Sequence, residues 1–390
     1  MKITLLIESL GSGGAERQLC TLAVEFRRRG HEVLMATYAP GDFYLPLLEK
    51  AQVEHVMLSG AGSLGWARSI RRLLRGNRQD VVLAFLEGPS LYAEIAALPW
   101  RSWGLVVSER IAVPNASSLK KWPHLLADYV TTNSHANRLM LEQAVPALKG
   151  RTVTVYNVVD LDHFAPAAKE PLAREPRDGF RFAVASSFQA KKNMTGLIGA
   201  AALLREQAGT PPVQIDWYGD IPPNRAAYDA AVRQISESGL KDRFRLHPAT
   251  SDIAREYRDA DAVILPSYYE GLPNAVCEAM ACGKPVLMSN VCDAGNLVKP
   301  GVNGYLFDPA SEASIAEAIT RFAALSGGER RAFGVRSREM AQSFFDVRRI
   351  ADHYIAVLEA AAAKERKKFD HWLAEVPESA YLTLSGPRQG

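Results

Sequence analysis

Two glutamates separated by seven residues, Glu270 and Glu278, are the side chains of this sequence best suited to bind a polyhydroxylated ligand. A carboxylate accepts paired hydrogen bonds from vicinal hydroxyl groups, such as those of a ribose or a pyranose. A helix that begins near Asn274 would also direct backbone N–H groups and the positive end of its dipole at a phosphate. Together these features indicate a nucleotide sugar, although two glutamates near a helix start are also an ordinary pattern.

The residues around these glutamates predict a strand, a loop, a helix and a second strand. Residues 262–265 and residues 286–289 are short apolar runs that are typical of buried strands. Between them, residues 274–282 have a helical pattern that Gly283 brings to an end. The loop that carries Glu270 therefore follows the carboxyl end of a parallel strand, where open α/β sheets bind ligands.

The whole stretch PSYYEGLPNAVCEAMACGKPV resembles the donor-site signature of family-4 retaining glycosyltransferases, which have the two-domain GT-B fold. The resemblance implies that Glu278 holds the donor ribose and that Glu270 lies beside the sugar and its phosphate. We expect backbone N–H groups near Gly271, Leu272 and Asn274 to orient the same sugar and phosphate.

A cation for the donor diphosphate is expected at Lys192, which follows a predicted strand. Relatives usually place an arginine some five residues before this lysine, and both cations contact the diphosphate. Here that position is Ser187, so one expected cation is missing, and Lys191, Arg110 or Arg245 are candidates to replace it. The resemblance implies no metal ion and no cofactor, so that catalysis would depend on positioning and fixed dipoles.

The first half of the chain is interpreted as the acceptor side. The segment GGAER, which contains Gly13 and Gly14, follows a predicted strand and resembles the acceptor-side loop of the same enzymes. Glu109 and Arg110 follow another strand, in a region where many relatives carry a histidine. Glu109 is a candidate to contact the acceptor hydroxyl and Arg110 to steady phosphate charge. An ordinary surface ion pair is the equally supported alternative.

Length and periodicity predict the domain organisation. A chain of 390 residues is too long for one ordinary core, and apolar runs alternate with helical patterns, which is typical of parallel α/β sheets. The resemblance implies two Rossmann-like doubly wound domains facing each other across a cleft. First-domain strands are predicted over residues 3–7, 32–37, 54–58, 81–85, 105–108, 129–132 and 153–156. The predicted divisions are an acceptor-side domain over residues 1–165, a linker over 166–179, a nucleotide-sugar-binding domain over 180–349, C-terminal helices over 350–375 that return to the first domain, and a flexible tail over 376–390.

Composition and charge favour a cytoplasmic globular protein. Hydrophobic residues make up 47% of the chain and charged residues 23%, and a net charge of +3 gives no argument for nucleic acid. No apolar run approaches the ~18–20 residues of a membrane span. Four cysteines without a CxxC pair are typical of a reducing compartment, and helical spacing makes Cys277 and Cys282 more plausible as packed thiols than as metal ligands.

The segment LGWARSIRRLLRGNR, residues 64–78, combines a predicted helix with a run of arginines and no acidic residue. An ordinary surface helix accounts for its apolar stripe. A cationic surface for anionic lipid headgroups accounts for the arginines, with Trp66 as the aromatic anchor. Both interpretations are equally supported, and the second predicts an enzyme that works at the cytoplasmic face of a membrane. The membrane-facing candidates are Arg68, Arg71, Arg72 and Arg75.

The sequence thus predicts a retaining glycosyltransferase that uses a nucleotide sugar, with uridine diphosphate favoured on family frequency alone. The expected acceptor is a lipid-linked or growing glycan in the synthesis of cell-envelope polysaccharide or glycoconjugate. A sugar-nucleotide epimerase of the same fold and a non-catalytic sugar-nucleotide binding module remain alternatives. A hydride-transfer enzyme is a weaker alternative, because the glycines at residues 11–14 resemble a dinucleotide-binding pattern but lack its full spacing.

Overall fold

The computed structural model describes residues 1–110, 118–167, 179–209 and 211–369 of the chain. These residues form two compact units. Unit 1 comprises Met1–Val158 and the segment from Asp346, and unit 2 comprises Val159–Phe345. Most of the predicted linker over residues 166–179, and all of the predicted tail over 376–390, lie outside the described residues.

Unit 1 is built on a sheet of seven parallel strands in the order β3-β2-β1-β4-β5-β6-β7. The strands are β1 (Lys2–Leu6), β2 (Glu32–Thr37), β3 (Glu54–Met57), β4 (Val81–Phe85), β5 (Gly104–Glu109), β6 (Tyr129–Thr132) and β7 (Thr152–Thr154). All seven predicted strands are present, and the largest difference is at β7, which ends two residues earlier than expected. Its pairing with β6 stops at Thr154, and the chain then leaves the sheet.

Helices connect these strands on both faces of the sheet. They are α1 (Gly14–Arg28), α2 (Leu45–Lys50), α3 (Gly62–Gly76), α4 (Glu87–Ala96) and α5 (His135–Ala144), with 3₁₀ segments at Ser118–Leu126 and Pro146–Leu148. The arginine-rich helix predicted over residues 64–78 is α3, which begins two residues earlier than expected. It also ends two residues earlier, because the positive φ of 47° at Arg78 is not helical.

Unit 2 has the same design with six parallel strands in the order β10-β9-β8-β11-β12-β13. The strands are β8 (Phe180–Ala185), β9 (Val213–Gly219), β10 (Phe244–Pro248), β11 (Ala262–Leu265), β12 (Val286–Ser289) and β13 (Gly304–Phe307). The helices are α6 (Met194–Glu206), α7 (Ala226–Glu237), α8 (Ile253–Asp259), α9 (Asn274–Ala281), α10 (Ala294–Leu297), α11 (Glu312–Ala323) and α12 (Gly327–Phe345), and Ala190–Lys192 is a 3₁₀ turn. The expected α/β class, with two Rossmann-like doubly wound sheets, is confirmed.

The last described helix, α13 (Val347–Ala362), belongs to unit 1 and packs on β4, β5 and α1. A Cβ atom on Gly104 would lie 2.5 Å from the carbonyl carbon of Ala361, so only glycine permits this approach of β5 to α13. Helices were expected over residues 350–375, but α13 ends at Ala362, and residues 370–375 lie outside the described residues. Lys364 adopts a left-handed conformation, and its N–H and that of Glu365 donate to the last carbonyls of the helix, which stops it.

The first strand of each unit lies inside its sheet. β1 is flanked by β2 and β4, and β8 is flanked by β9 and β11. The loops that leave two such neighbouring strands diverge to opposite faces of the sheet, which opens a crevice at the carboxyl edge. Within the described ranges, no helix is long and apolar enough to span a membrane.

Candidate functional site

The crevice of unit 2, between β8 and β11, brings Lys192 and Glu270 together. Lys192 ends the 3₁₀ turn after β8, and Glu270 lies in the loop after β11. The Lys192 Nζ donates to the Glu270 Oε1 at 2.6 Å, and the two side chains are 15% and 12% exposed. The backbone N–H of Tyr268 donates to the carbonyl of Lys191 and joins the two loops. A mostly buried ammonium and a carboxylate thus meet at the ligand-binding edge of the sheet.

Asn193 positions this pair, although the sequence analysis gave it no role. It is buried in a left-handed conformation with φ of 57°, and its Oδ1 caps α6 by accepting from the N–H of Gly196. Its Nδ2 donates to the carbonyls of Pro266 and Pro309. Asparagine tolerates a left-handed conformation better than most residues and is a preferred helix N-cap. An asparagine that follows two lysines and directly precedes a predicted helix could therefore have indicated this role from the sequence.

The helix that carries Glu278 begins at the same edge. The N–H groups of Val276 and Cys277 both donate to the carbonyl of Pro273, which places the N-terminus of α9 at this loop. Glu278 lies one turn into α9 and is 6% exposed. The loop before the helix is held where the Cys292 thiol donates to the carbonyl of Gly271.

The three candidate replacements for the missing arginine are placed differently. Lys191 lies 5.6 Å from the ring centre of Tyr269, so it contacts the same loop as Lys192 does. Arg245 is exposed near the amino end of β10, away from the carboxyl edge. Arg110 belongs to unit 1 and is buried there. Lys191 is therefore the candidate that the structure brings to the donor-side loops, at a position next to Lys192.

In unit 1, the predicted acceptor-side residues share the carboxyl edge of the sheet. Gly13 and Gly14 are exposed at the beginning of α1, directly after the loop from β1. Glu109 is the last residue of β5, which lies two strands away from β1. The order of neighbouring strands in the sheet, β1-β4-β5, therefore places the two glycines and the Glu109 carboxylate along one edge.

Glu109 is a member of a buried cluster of four charged groups. Its Oε2 accepts from the Lys121 ammonium and lies 3.4 Å from the Nε2 of His124. The other ring nitrogen, Nδ1, lies 2.6 Å from the Oε1 of Glu94 on α4. His124 and Glu94 are 5% and 1% exposed, so this is no surface ion pair. Sequence reasoning did not find these partners, because they come from different elements.

The cluster changes the proton affinities of its members. Burial disfavours the charged imidazole, but hydrogen bonds to Glu109 and Glu94 outweigh burial and raise the pKa of His124 to about 9. Burial alone would raise the pKa of Glu109, whereas His124 and Lys121 together lower it. For Glu94 burial dominates over the contact with His124, and its pKa is raised.

Arg110 points into the interior of unit 1. Its guanidinium donates to the Oδ1 of Asn157, approaches the Tyr354 hydroxyl at 3.5 Å and stacks over the ring of Phe85 at 4.5 Å. Tyr354 is a residue of α13. This placement gives Arg110 the structural role of tying β5 to α13, in place of the phosphate contact that the sequence suggested.

The arginines of α3 are not equivalent. Arg68, Arg72 and Arg75 are exposed, but Arg71 is half-buried. The guanidinium of Arg71 donates to the carbonyl of Ala96, the last residue of α4, and to those of Leu98 and Trp100 just beyond the helix, with 3.0 Å to Trp100. Arg71 therefore ends α4 by binding carbonyls that have no intrahelical partner.

The predicted aromatic anchor also has a different role. Trp66 is half-buried, and its ring centre lies 5.0 Å from that of Tyr38. Trp100, by contrast, is 71% exposed beside the carbonyls that bind Arg71. Trp100, whose backbone carbonyl binds Arg71 of α3, thus presents an exposed aromatic ring. No group of three or more metal-binding side chains occurs in the described parts of either unit.

Family models match both halves of the chain. The model described as Glycosyltransferase Family 4 matches residues 12–163, and the one described as Glycosyl transferases group 1 matches residues 170–340. The second match contains Lys192, Glu270 and Glu278. The first contains the glycines after β1 and the cluster around Glu109.

Named relatives match at low identity. A D-inositol 3-phosphate glycosyltransferase of Saccharomonospora viridis is 28% identical over 91% of this chain and 91% of its own length. The UDP-Gal:alpha-D-GlcNAc-diphosphoundecaprenol alpha-1,3-galactosyltransferase of Escherichia coli is 29% identical over 42% of this chain and 43% of its own length. Other relatives at 32–33% identity are matched over only 39–42% of their length. The solved structure of HepE from Anabaena in complex with UDP has a TM-score of 0.79 at 24% identity, covers 92% of this chain and 100% of HepE, and shows the likeness of fold.

We expect the His124 cluster to make stability depend on pH. Because the folded-state pKa of His124 is about 9 against an ordinary 6.5, its contribution is fully present below pH 6.5 and is lost as the pH rises through 9. This contribution is on the order of 3 kcal/mol. Denaturant unfolding at pH 6.5 and pH 9 should show wild-type protein losing more stability than His124→Gln, whereas the control His163→Gln, at an exposed histidine, should follow the wild type. Equal losses in wild type and His124→Gln would contradict the assignment.

Proposed function

The chain belongs to the glycosyl transferases of group 1 and to glycosyltransferase family 4, and we propose from this membership that it transfers a sugar from a nucleotide sugar to an acceptor hydroxyl group. The observation that carries the proposal is the pairing of Lys192 with Glu270 in the crevice of unit 2, beside the helix that carries Glu278. A cation, a carboxylate and a helix N-terminus suit the phosphates and hydroxyls of one ligand.

On this proposal, each residue of the crevice has a separate task. Glu278 accepts hydrogen bonds from the ribose hydroxyls, and Glu270 accepts them from the transferred sugar. Backbone N–H groups near Gly271, Leu272 and Asn274 donate to the sugar and its phosphate. The Lys192 ammonium, which already pairs with Glu270 at 2.6 Å, balances the charge that grows on the departing diphosphate.

The second cation is proposed to be Lys191. Its contact with Tyr269 holds it against the loop that carries Glu270, and its carbonyl accepts from the N–H of Tyr268. Two adjacent lysines on a 3₁₀ turn point in different directions, so only one can pair with Glu270. With two ammonium groups and a helix N-terminus meeting the phosphate charge, we propose that transfer requires no metal ion.

The donor and acceptor classes are proposed from the relatives. HepE has been solved with UDP, and the E. coli relative is named for a UDP-linked galactose and a diphosphoundecaprenol acceptor. We therefore propose a UDP-sugar donor and a lipid-linked or growing glycan as acceptor, in the synthesis of a cell-envelope polysaccharide or glycoconjugate. The acceptor contacts are assigned to unit 1, at Gly13, Gly14 and Glu109. Configuration is proposed to be retained, with the departing phosphate accepting the proton of the acceptor hydroxyl.

Screening thermal stability against a panel of nucleotide sugars tests the donor. A ligand present at 100 times its dissociation constant should stabilise the protein by about 2.7 kcal/mol. The stabilising donor is then incubated with lipid-linked acceptors, with and without a chelator, and the products are separated by mass spectrometry. We expect a transfer product whose yield does not depend on the chelator. Conversion of the donor sugar without any acceptor would instead show an epimerase.

Two substitutions separate the donor contacts. Glu278→Gln should weaken binding of UDP in calorimetry by roughly 1.5–3 kcal/mol, because it removes charge-assisted hydrogen bonds to the ribose. Glu270→Gln should lower kcat far more than it weakens UDP binding, since this side chain faces the sugar. The exposed Glu237 offers the matched control Glu237→Gln, which should change neither. If Glu278→Gln binds UDP as wild type does, the ribose assignment is wrong.

A membrane surface is proposed as a further partner, with the enzyme acting at the cytoplasmic face. Three exposed arginines, Arg68, Arg72 and Arg75, lie on α3, and each basic residue near an anionic leaflet contributes on the order of 1 kcal/mol. The exposed ring of Trp100 lies beside the arginine that ends α4 and suits the headgroup region. These features support weak, salt-sensitive adhesion and no deep insertion.

Replacing Arg68, Arg72 and Arg75 together by glutamine should abolish sedimentation with phosphatidylglycerol vesicles at low salt and leave UDP binding unchanged. Arg71→Gln is the matched control: it should lower thermal stability, because three carbonyls lose their donor, but it should still sediment. Equal sedimentation of the triple variant and the wild type would show that α3 is only a surface helix and would favour a water-soluble acceptor.

A further inference from the structure

Four side chains of alternating charge run from the interior of unit 1 to the edge of its sheet. The exposed fractions increase along the series, from 1% at Glu94 and 5% at His124 to 11% at Glu109 and 15% at Lys121. They come from three elements, α4, β5 and the 3₁₀ segment at Ser118–Leu126. Glu109, the third member and the last residue of β5, therefore brings the series to the carboxyl edge of the sheet.

The two oxygens of Glu109 are used unequally. Both contacts of this carboxylate, from the Lys121 Nζ and the His124 Nε2, are made to Oε2. In the part of the chain that the structure describes, Oε1 has no hydrogen-bond partner. Two donors on one oxygen fix the rotation of the carboxylate, and the second oxygen remains able to accept from another donor.

Stability alone does not account for this series. Charged groups that are taken out of water lose hydration, and replacing them with apolar residues is often neutral or stabilising. The Oε2 of Glu94 is buried, and the described residues provide no hydrogen-bond partner for it, which adds a further cost. Glu94 therefore has one clear contact, the one that orients the imidazole of His124.

We propose that Glu94 and His124 are positioning residues, which hold the carboxylate of Glu109 so that its Oε1 accepts a hydrogen bond from the acceptor hydroxyl. Glu94 fixes the ring of His124 through Nδ1, and the opposite nitrogen fixes Glu109, as an acid orients a histidine in other relays. This inference rests on the proposed function and adds to it the residues that aim the acceptor. The crevice of unit 2 is not part of it.

A double-mutant cycle on kcat/KM for the acceptor tests the proposal. Glu109→Gln should lower kcat/KM by about 100-fold, the scale of a misplaced reacting group. His124→Gln and Glu94→Gln should each lower it by about 10-fold, as outer partners of a functional ligand do. If His124 acts only through Glu109, the variant with both His124→Gln and Glu109→Gln should have the same kcat/KM as Glu109→Gln alone.

Controls separate positioning from folding. Glu25→Gln removes another buried carboxylate of unit 1, which pairs with Arg28 and Arg29 on α1, and should lower thermal stability without changing kcat/KM. The affinity for UDP should be unchanged in every variant. Should His124→Gln fail to fold, the milder Glu94→Gln carries the same cycle with Glu109→Gln.

The outcomes distinguish this inference from the proposed function. Normal kcat/KM in folded His124→Gln and Glu94→Gln, or additive losses in the cycle, would overturn the positioning role while leaving transfer established. A wild-type protein that transfers sugar from no nucleotide sugar would overturn the proposed function and this inference with it.

Discussion

In a parallel sheet whose first strand lies inside the sheet, the loops on either side of that strand turn to opposite faces and leave a crevice at the carboxyl edge. Both units obey this constraint, with crevices between β1 and β4 and between β8 and β11. The residues assigned to the site leave the sheets at these edges: Lys192 after β8, Glu270 after β11 and Glu109 at the end of β5. The sheet order therefore determines which side chains can act together within each unit.

Buried charges serve two purposes in this protein, and their hydrogen bonds distinguish them. Arg181, near the start of β8, donates to Asp216, Glu256 and Tyr218, and the pKa of Asp216 is lowered because its contacts to His247 and Arg181 outweigh its burial. In this network Asp216 is contacted on both of its oxygens, by Arg181 and Gln214 on one and by His247 on the other, and the contacts join neighbouring elements. Glu109, in contrast, has both of its contacts on one oxygen. Among the described residues its Oε1 has no hydrogen-bond partner, which fits the ligand contact proposed for it.

The same contrast applies to the arginines. A run of arginines in a sequence suggests a cationic surface, but a guanidinium has five donors and readily binds carbonyl oxygens. Arg71 uses these donors to end α4, and Arg110 uses them to join β5 to α13. The charge that reaches the surface is therefore smaller than the sequence implies. Only the exposed members of the run can contribute to a long-range electrostatic attraction.

The sequence alone determined the strands, the helix that carries Glu278 and the loop that carries Glu270, because apolar periodicity, turn residues and a contiguous motif are properties of neighbouring residues. It did not determine which distant side chains meet. Lys192 and Glu270 are 78 positions apart, and Arg110 and Tyr354 are 244 apart. Such pairs depend on which strands are adjacent and on where α13 packs, and the partners of Glu109 depend on how a 3₁₀ segment lies against α4. Only the tertiary structure decided these contacts, since burial and hydrogen bonding between remote residues leave no periodic trace in the chain.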